Sequence, residues 1–432
     1  MARTAMTGPA RRVQAVYLLL TLLQTLAASL IWGINTLFLL DGGLNATQAF
    51  AANAFFAAGL VLFEVPTGIV ADTRGRRTSY LLGTLTLATS TLLYLLMWDL
   101  SAPFWGWALA SILLGLGFTF FSGAVEAWLV DALTDAGFFQ DHGRLENVLA
   151  RGKIVEGAAM LCGSVAGGAI AQATNLGVPY VVRAVILVAT FAVAFTVMHD
   201  TGFTPVKKST VAAEIRQVLR GAVAHGLANR PVRWIMLAAP FTTGVNLYAF
   251  YAMQPYLLQL WGNERAYGIA GLAAAIVAGA QIVGGLLVPY LKFMFARRTS
   301  VLLVATTTSA VLLLAIGRGP GFPMAIALLV LWALQFAATM PARQAYLNGL
   351  VPSSERATVL SFDSLLGSAG GVVTQPLLGR SADLWGYPAS YVACAGVQIL
   401  AVPFIWLARR EHASSESLTG AWQEPRPPTP NP

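Results

Sequence analysis

The feature that most constrains the fold is a series of twelve long apolar runs, separated by short polar or charged segments. The hydrocarbon core of a bilayer is about 30 Å thick and is crossed by roughly 17–25 helical residues. Backbone groups inside that core must bond within their own segment, so the runs predict transmembrane α-helices, spans one to twelve in chain order. They cover approximately residues 14–40, 47–71, 78–98, 103–132, 148–172, 179–198, 230–260, 267–291, 299–317, 322–350, 356–379 and 387–408.

Composition and charge support an integral membrane protein. The 432 residues are 56% hydrophobic and 11% charged, whereas soluble domains carry about 25% charged residues. With the N-terminus in the cytoplasm, nearly all of the 27 Lys and Arg lie in cytoplasmic segments or at cytoplasmic helix ends; the exceptions are Arg183, Arg265, Arg318 and Arg380. This bias predicts two cytoplasmic termini in a cell membrane, and it assigns the net charge of +8 to topology instead of a nucleic-acid partner.

The chain repeats short patterns in its two halves. Val148-Leu149 lies 20 residues before Gly168, and Val359-Leu360 lies 20 residues before Gly379. These repeated patterns predict a duplicated all-α fold with two pseudo-symmetric six-helix bundles, at residues 1–198 and 230–410. Residues 199–229 predict a cytoplasmic linker with an amphipathic helix, whose apolar stripe is Val211, Ile215, Val218, Ala222 and Val223. The polar, Pro-rich segment 411–432 predicts a disordered cytoplasmic tail.

The charged turn Gly68-Ile69-Val70-Ala71-Asp72-Thr73-Arg74-Gly75-Arg76-Arg77 joins spans two and three. It resembles the cytoplasmic loop motif of the major facilitator superfamily, Gly-x-Leu-Ala-Asp-Arg-x-Gly-Arg-Arg/Lys. Val70 and Thr73 depart from that pattern. The resemblance implies the twelve-helix fold of that superfamily and a gate formed by Gly68, Asp72, Gly75, Arg76, Arg77 and Asp131.

Two gate contacts are expected from the same resemblance. Asp131 in span four is placed to pair with Arg76 or Arg77. Asp72 is expected to face the start of span eleven at Pro352–Arg356, where free backbone amides attract an anion.

Span five contains Gly163-Ser164-Val165-Ala166-Gly167-Gly168. It resembles the superfamily's antiporter motif Gly-Pro-x-x-Gly-Gly, with Ser164 in place of the Pro. The resemblance favours export and the bacterial drug:proton antiporter group, although any closely packed helix can carry three glycines. The Arg that proton-coupled drug exporters carry in span four would fall near Ser111 and is absent.

Two acids inside predicted spans are candidates for proton coupling, since ionisable groups within a bilayer are costly. Glu64 lies eight residues before Asp72, about 12 Å along a helix. It could instead cap the Leu62 carbonyl that Pro66 leaves free. Glu126 is the second candidate, and its alternative is an ion pair with Arg151 or Lys153.

Spans one, seven and ten are expected to line the substrate cavity. The candidates are Gln24, Trp32, Asn35, Tyr248, Tyr251, Gln254, Gln335 and Arg343. An apolar, aromatic cavity with a few amides favours a lipophilic small molecule, although Trp and Tyr also populate membrane interfaces. Asp363 and Glu156 are expected to be structural or to bind cations.

These patterns predict a secondary active transporter that exports a lipophilic, drug-like compound in exchange for protons. An uptake symporter or a uniporter remains the alternative, and a non-transporting membrane sensor is disfavoured. The sequence has no nucleotide-binding loop and no His/Cys cluster, so we expect no enzyme activity, no cofactor and no metal. The expected partners are a small-molecule substrate, protons and the lipid bilayer, and the chain is expected to be a monomer.

Overall fold

A computed structural model describes residues 8–140, 143–205, 213, 215–216, 220–319, 321–353 and 355–418. Within these ranges the regular structure is helical, apart from an isolated antiparallel bridge between Arg297 and Ser417. The α-helices are α1 Gly8–Trp32, α2 Asn35–Asp41, α3 Ala46–Arg74, α4 Arg76–Asp99, α5 Phe104–Thr119, α6 Ala124–Asp135, α7 Leu145–Ala173, α8 Val178–Val197, α9 Arg230–Trp261, α10 Tyr267–Leu287, α11 Leu291–Met294, α12 Arg298–Gly317, α13 Phe322–Asn348, α14 Arg356–Ile399 and α15 Val402–Arg410.

The helices confirm the twelve-span fold. Ten segments of the described chain are long and apolar enough to cross a membrane. One of them, Thr358–Arg410, is 53 residues long and is broken at Gly386, where φ is 81°, so it supplies spans eleven and twelve. Helix α9, with 32 residues, supplies span seven and completes the set.

The chain forms two compact units. Unit 1 comprises Met1–Leu44, Phe55–Val211 and Glu264–Ala275, and unit 2 comprises Asn45–Ala54, Ala212–Asn263 and Ile276–Pro432. Helices α3 and α10 are therefore divided, because the first turns of each are counted with one unit and the remainder with the other.

In unit 1, α1 packs against α7 and α8, and α4 packs against α5 and α8. The core between them is apolar and aromatic, with Tyr80, Trp128, Leu129 and Leu133 almost completely buried. In unit 2, α9 and α12 both pack against α14, and α15 covers α9 and α12. Val232, Met236, Tyr346 and Leu347 lie in that core. Both units thus bury one apolar face of each long helix, as expected for helices that also face lipid.

The first residues of the expected tail pack on unit 2. Thr299 donates its hydroxyl to the Glu416 carboxylate, and the Ser415 hydroxyl donates to the Tyr346 carbonyl at 2.8 Å. Residues 411–418 therefore pack on unit 2, contrary to the disordered tail expected from 411, because their polar groups find partners at the ends of α12 and α13. The rest of the expected tail lies outside the described residues.

The linker helix stays a prediction. Its stripe residues Val211 and Val218 lie outside the described residues. A π-helical segment, Ala222–Leu227, leads into α9, and His225 Nδ1 lies 3.7 Å from the Glu355 carboxylate.

Candidate transport site and gates

Span four is interrupted beside Glu64. Helix α5 ends at Thr119 and α6 begins at Ala124, with Gly123 in the left-handed region at φ 68°. The break places the Ser122 hydroxyl against Glu64, to which it donates a hydrogen bond of 2.7 Å. The Glu64 carboxylate is therefore engaged across to span four, and Thr67 bonds the carbonyls of Phe63 and Glu64 on the turn that Pro66 loosens. The alternative in which Glu64 caps Leu62 is not the arrangement seen.

Glu126 belongs to a charged group on unit 1. Lys153 donates to Glu156 at 2.8 Å on α7, and Glu126 lies close enough to interact electrostatically with Lys153 and Tyr17. The side chains of Glu126 and Lys153 are exposed. Lys153 is bonded directly to Glu156, so the expected Glu126–Lys153 pair exists only as a longer-range attraction. Charges exposed at this depth indicate a face of unit 1 that meets water, since lipid contact would be costly.

Three acids lie against the charged turn after span two. Arg76 donates a hydrogen bond to Asp72 at 2.5 Å, and Asp131 lies close enough to interact electrostatically with Arg76. Asp200, just beyond α8, accepts the backbone amide of Arg77 at 2.8 Å and so caps α4. Arg77 in turn donates to the Phe195 carbonyl at 2.7 Å. The turn is therefore fixed within unit 1 by a helix cap that the local motif does not contain.

The two glycines of this turn differ. Gly75 has φ 103° and ψ 152°, and a Cβ there would overlap the Asp200 carboxylate. Among the described residues, a Cβ on Gly68 would meet nothing within 4 Å. The close contact at this turn is thus made at Gly75, with the Asp200 side chain, and not at Gly68. The expected contact of Asp72 with the start of span eleven stays a prediction.

The glycine-rich segment of span five packs tightly. A Cβ on Gly163 would overlap the Ser29 hydroxyl, and one on Gly167 would overlap the Leu30 carbonyl oxygen, both on α1. Gly168 faces α10, where a Cβ would lie 2.8 Å from the Cα of Gly271. Ser164 is almost completely buried between these contacts. The small residues therefore set the spacing of α7 from two neighbouring helices.

The predicted cavity residues separate into two groups. Asn35, Tyr248 and Gln254 are buried; the Tyr180 hydroxyl donates to Asn35 at 3.0 Å, and Tyr248 packs on Phe50. These three cannot line an open cavity in this state. The second group, which is half-buried, is Gln24, Trp32, Tyr251 and Gln335.

Two residues of the half-buried group, Trp32 and Gln335, have surroundings that bear on their role. Trp32 stands at the end of α1, where span one is interrupted before α2 begins at Asn35. Interrupted membrane helices commonly border substrate sites. Gln335 donates its amide to the Ala305 carbonyl at 2.5 Å, which ties it to α12.

Arg343 is engaged in a buried ion pair. Its guanidinium donates two hydrogen bonds to Asp363, at 2.5 and 2.7 Å, and a third at 3.4 Å to the Ile235 carbonyl. Asp363 is 7% exposed. This bidentate arrangement links α13 to α14 and leaves Arg343 poorly placed to contact a substrate directly.

Sequence reasoning missed Ser122 and Asp200, whose roles depend on contacts 58 and 123 positions away. The adjacent Gly123 was a local signal for the break that exposes Ser122. No such signal marks Asp200. Within the described ranges, no group of three or more His, Cys, Asp or Glu side chains could hold a metal ion.

Comparison with known proteins identifies the family. The sequence profile of the Major Facilitator Superfamily matches residues 17–294 and 266–431. No curated protein matches the chain significantly in sequence. Solved structures that resemble it include the nucleoside transporter NupG, at 11% identity and TM-score 0.73, covering 94% of this chain and 100% of that one.

Two further structures have the same fold. A bacterial homologue of the human lysosomal transporter Spinster matches at 15% identity and TM-score 0.69, over 96% of this chain and 100% of that one. The xylose transporter XylE from E. coli matches at 14% identity and TM-score 0.66, over 92% and 96%. At these identities the likeness establishes the fold alone. The family profile spans most of the chain, and the protein therefore belongs to the Major Facilitator Superfamily of multi-pass membrane transporters.

Proposed function

We propose that this transporter exports a lipophilic small molecule in exchange for protons, by alternating access, with Glu64 and Glu126 as its proton sites. The proposal includes two cytoplasmic termini in a bacterial cytoplasmic membrane and a monomeric transporter. The observation that carries it is the hydrogen bond between Ser122 and the Glu64 carboxylate at the break in span four.

The position of Glu64 suits a proton carrier. It lies ten residues before the end of α3 at Arg74, about 15 Å along the helix axis. Its carboxylate is half-buried and bonded to a hydroxyl that can accept or donate as the protonation state changes. A carboxyl group with a neutral partner can gain and lose a proton without leaving a buried counter-charge unpaired.

Glu126 is the better second site among the remaining acids. Asp363 is held by two bonds from Arg343 and is buried, so protonating it would strand the Arg343 charge. Glu126 is exposed and is attracted to Lys153 without a direct bond. It can therefore exchange protons with water at a lower energetic cost.

An uptake symporter is the second candidate. One structural neighbour is named a D-xylose–proton symporter, at 15% identity and TM-score 0.67 over 92% of this chain and 98% of that one. By its name, that protein of this fold is a symporter of a sugar and protons. Export remains our first proposal because the half-buried Trp32 and Tyr251 favour an apolar solute over a sugar, and because the glycine-rich segment of α7 resembles the antiporter motif.

The test uses everted membrane vesicles with an imposed inside-acid pH gradient and a panel of lipophilic compounds. We expect compound-specific proton release in the wild type and its loss in Glu64→Gln and Glu126→Gln. Glu146→Gln is the matched control, because Glu146 is an exposed acid in the first turn of α7. It should behave as wild type.

The outcomes separate the candidate functions. Downhill flux of a compound without proton movement would contradict proton coupling and indicate a uniporter. Solute and proton moving in the same direction would indicate a symporter. Proton release that persists in Glu64→Gln would remove Glu64 from the mechanism.

A further inference from the structure

The two halves of the chain carry the same tetrapeptide at the start of a span. Arg76-Arg77-Thr78-Ser79 opens α4, and Arg297-Arg298-Thr299-Ser300 opens α12, 221 positions later. The same spacing places Phe293 at the position that Asp72 holds in the first half. The second turn therefore keeps both arginines and has an aromatic side chain where the first turn has an acid.

In unit 1 both arginines of the tetrapeptide have partners. Arg76 donates to the Asp72 carboxylate at 2.5 Å. Arg77 donates its side chain to the Phe195 carbonyl at 2.7 Å and its backbone amide to Asp200 at 2.8 Å. The positive charge of this turn is thus met by acids and a carbonyl of the same unit.

In unit 2 only the second arginine has such partners. Arg298 donates its side chain to the Ser415 carbonyl at 2.5 Å. The Arg297 side chain is exposed, and within the described ranges no carboxylate lies within 4.0 Å of its guanidinium. Phe293, in the place of Asp72, is 77% exposed. The Arg297 charge therefore lacks the acid that its equivalent Arg76 has.

Two further cations lie beside exposed aromatic rings. The Lys292 ammonium is 5.1 Å from the centre of the Phe293 ring. The Arg410 guanidinium carbon, at the end of α15, is 3.5 Å from the centre of the Trp406 ring. Lys292, Arg410 and Trp406 are all exposed. Stacking on a ring stabilises a cation and leaves its N–H groups available for an anion.

These cations lie at one end of unit 2. Helix α15 packs against α12, and Arg297 forms an antiparallel bridge with Ser417, seven residues beyond Arg410. We call Lys292, Phe293, Arg297, Trp406 and Arg410 the basic–aromatic surface. The charge bias of the sequence assigns this end to the cytoplasm.

The two described acids near this surface are bonded elsewhere. Glu411 accepts the indole N–H of Trp234 at 3.1 Å. Glu416 accepts the Thr299 hydroxyl and is 8% exposed. In the described chain neither carboxylate forms an ion pair with an exposed cation of the basic–aromatic surface. The surface is therefore complementary to an external anion.

The apolar side chains beside these cations indicate which anion fits. Phe293 and Met294, at 77% and 73%, are the two most exposed large hydrophobic side chains of the described chain. They lie at the end of span eight, where hydrocarbon gives way to headgroups. A soluble anion would leave them in water, whereas a lipid covers them with its acyl chains.

We propose that the basic–aromatic surface binds the headgroup of an anionic phospholipid. Arg297 and Lys292 donate hydrogen bonds to the phosphate, which takes the role that the Asp72 carboxylate has in unit 1. Arg410 adds charge from α15, and Phe293 and Met294 enter the boundary between headgroups and acyl chains. The chain thus has a lipid site in its second half where the first half has an internal ion pair.

Native mass spectrometry of the full chain, purified in an uncharged detergent, measures this binding lipid by lipid. The probe is dioleoyl phosphatidylglycerol, with phosphatidylcholine and free glycerol phosphate as comparison ligands. We expect one phosphatidylglycerol to bind more tightly than either comparison ligand. Lys292→Gln should weaken it about fivefold, the factor for one juxtamembrane base, and the double variant Lys292→Gln/Arg297→Gln about 25-fold. Arg144→Gln/Arg151→Gln is the matched control, because it removes two exposed charges from the start of α7 in unit 1.

A second pair of variants tests the exchange of an acid for an aromatic ring. Phe293→Asp places a carboxylate four residues before Arg297, the spacing of Asp72 and Arg76. Phe293→Asn has the same size and no charge. We expect Phe293→Asp to bind phosphatidylglycerol at least about fivefold more weakly than Phe293→Asn. Since residues 292, 293 and 297 are exposed, these variants should melt with the wild type in detergent without lipid.

Three results would overturn the proposal. The first is equal affinity for phosphatidylglycerol and phosphatidylcholine, and the second is an equal loss in the double variant and in the unit 1 control. The third is tight binding that appears only in Glu424→Gln, which would assign the surface to an acid of the tail. The measurement needs no transported compound and no proton gradient, so it stands or fails separately from the export assay.

Discussion

Replacing Gly75 with Ala tests whether the charged turn depends on the Asp200 cap. Gly75 has φ 103° and ψ 152°, a conformation that is essentially restricted to glycine. An added Cβ would also overlap the Asp200 carboxylate, which accepts the Arg77 amide at 2.8 Å. The substitution should therefore strain the backbone and displace the cap of α4 together.

The magnitude follows from these two effects. Backbone strain at such a position costs about 1–3 kcal/mol, and loss of a helix cap costs about 1 kcal/mol. The sum is roughly 2–4 kcal/mol, from the same two effects. For a unit of this size, about 2–4 °C of melting temperature corresponds to each kcal/mol, so Gly75→Ala should lower the apparent Tm by roughly 4–16 °C.

Thermal unfolding of the purified protein, followed by circular dichroism, measures this loss. Gly43→Ala is the control, because Gly43 has φ 91° and a Cβ there would meet nothing within 4 Å of the described chain. It should show strain alone. A double-mutant cycle with Asp200→Ala isolates the contact between residue 75 and Asp200, because Gly75→Ala should lower the Tm less in the Asp200→Ala background. Equal losses at Gly75 and Gly43, together with an unchanged Gly75→Ala loss in the Asp200→Ala background, would refute the reasoning.

Two further predictions concern packing and charge. Gly167→Ala should destabilise unit 1 by about 1–3 kcal/mol through overlap with the Leu30 carbonyl. Gly285→Ala is the control and should not destabilise the protein, because Gly285 is at an exposed helical position with open space around it. Equal melting curves for the two variants would contradict the close α1–α7 contact. Asp363→Asn should cost about 3–5 kcal/mol, because it strands the buried Arg343 charge, and Arg343→Gln added to it should recover part of the loss. Lys153→Met, which breaks the exposed pair with Glu156, should change stability by less than about 1 kcal/mol; a loss as large as that of Asp363→Asn would show that exposure is the wrong criterion.

The fold was predictable because lipid leaves few alternatives. Each long apolar run must become a helix in hydrocarbon, and the break at Gly386 separates the last two spans as the sequence predicts. The interior of the spans was less predictable. The interruption between α5 and α6 depends on Gly123 adopting φ 68°, and a glycine in an apolar run has many other roles.

The candidate site was predictable in its residue types and not in its contacts. Glu64 and Glu126 were recognisable because charges are rare within spans. The partner of Glu64, Ser122, is an ordinary residue that becomes informative only when helices are packed. Tyr248 and Gln254 are buried in this state, because polar and aromatic side chains on a span can also pack against other helices.

The internal duplication makes some of these long-range contacts accessible from sequence. A helix cap 337 positions away, such as that of Asp383 on Ala46, has no local signature. The register that relates Val148 to Val359 nevertheless makes Asp383 equivalent to Gln172, and each of these side chains accepts an amide from the first turn of a helix, α3 or α10. A polar side chain is favoured at both of these equivalent positions for a structural reason. The first turn of α3 and the first turn of α10 each have a backbone amide without a partner in its own helix, and that amide needs an acceptor. Only the α3 side carries a charged acceptor, and the Asp383 carboxylate interacts with the positive end of the α3 dipole as well as with the amides of Ala46 and Thr47.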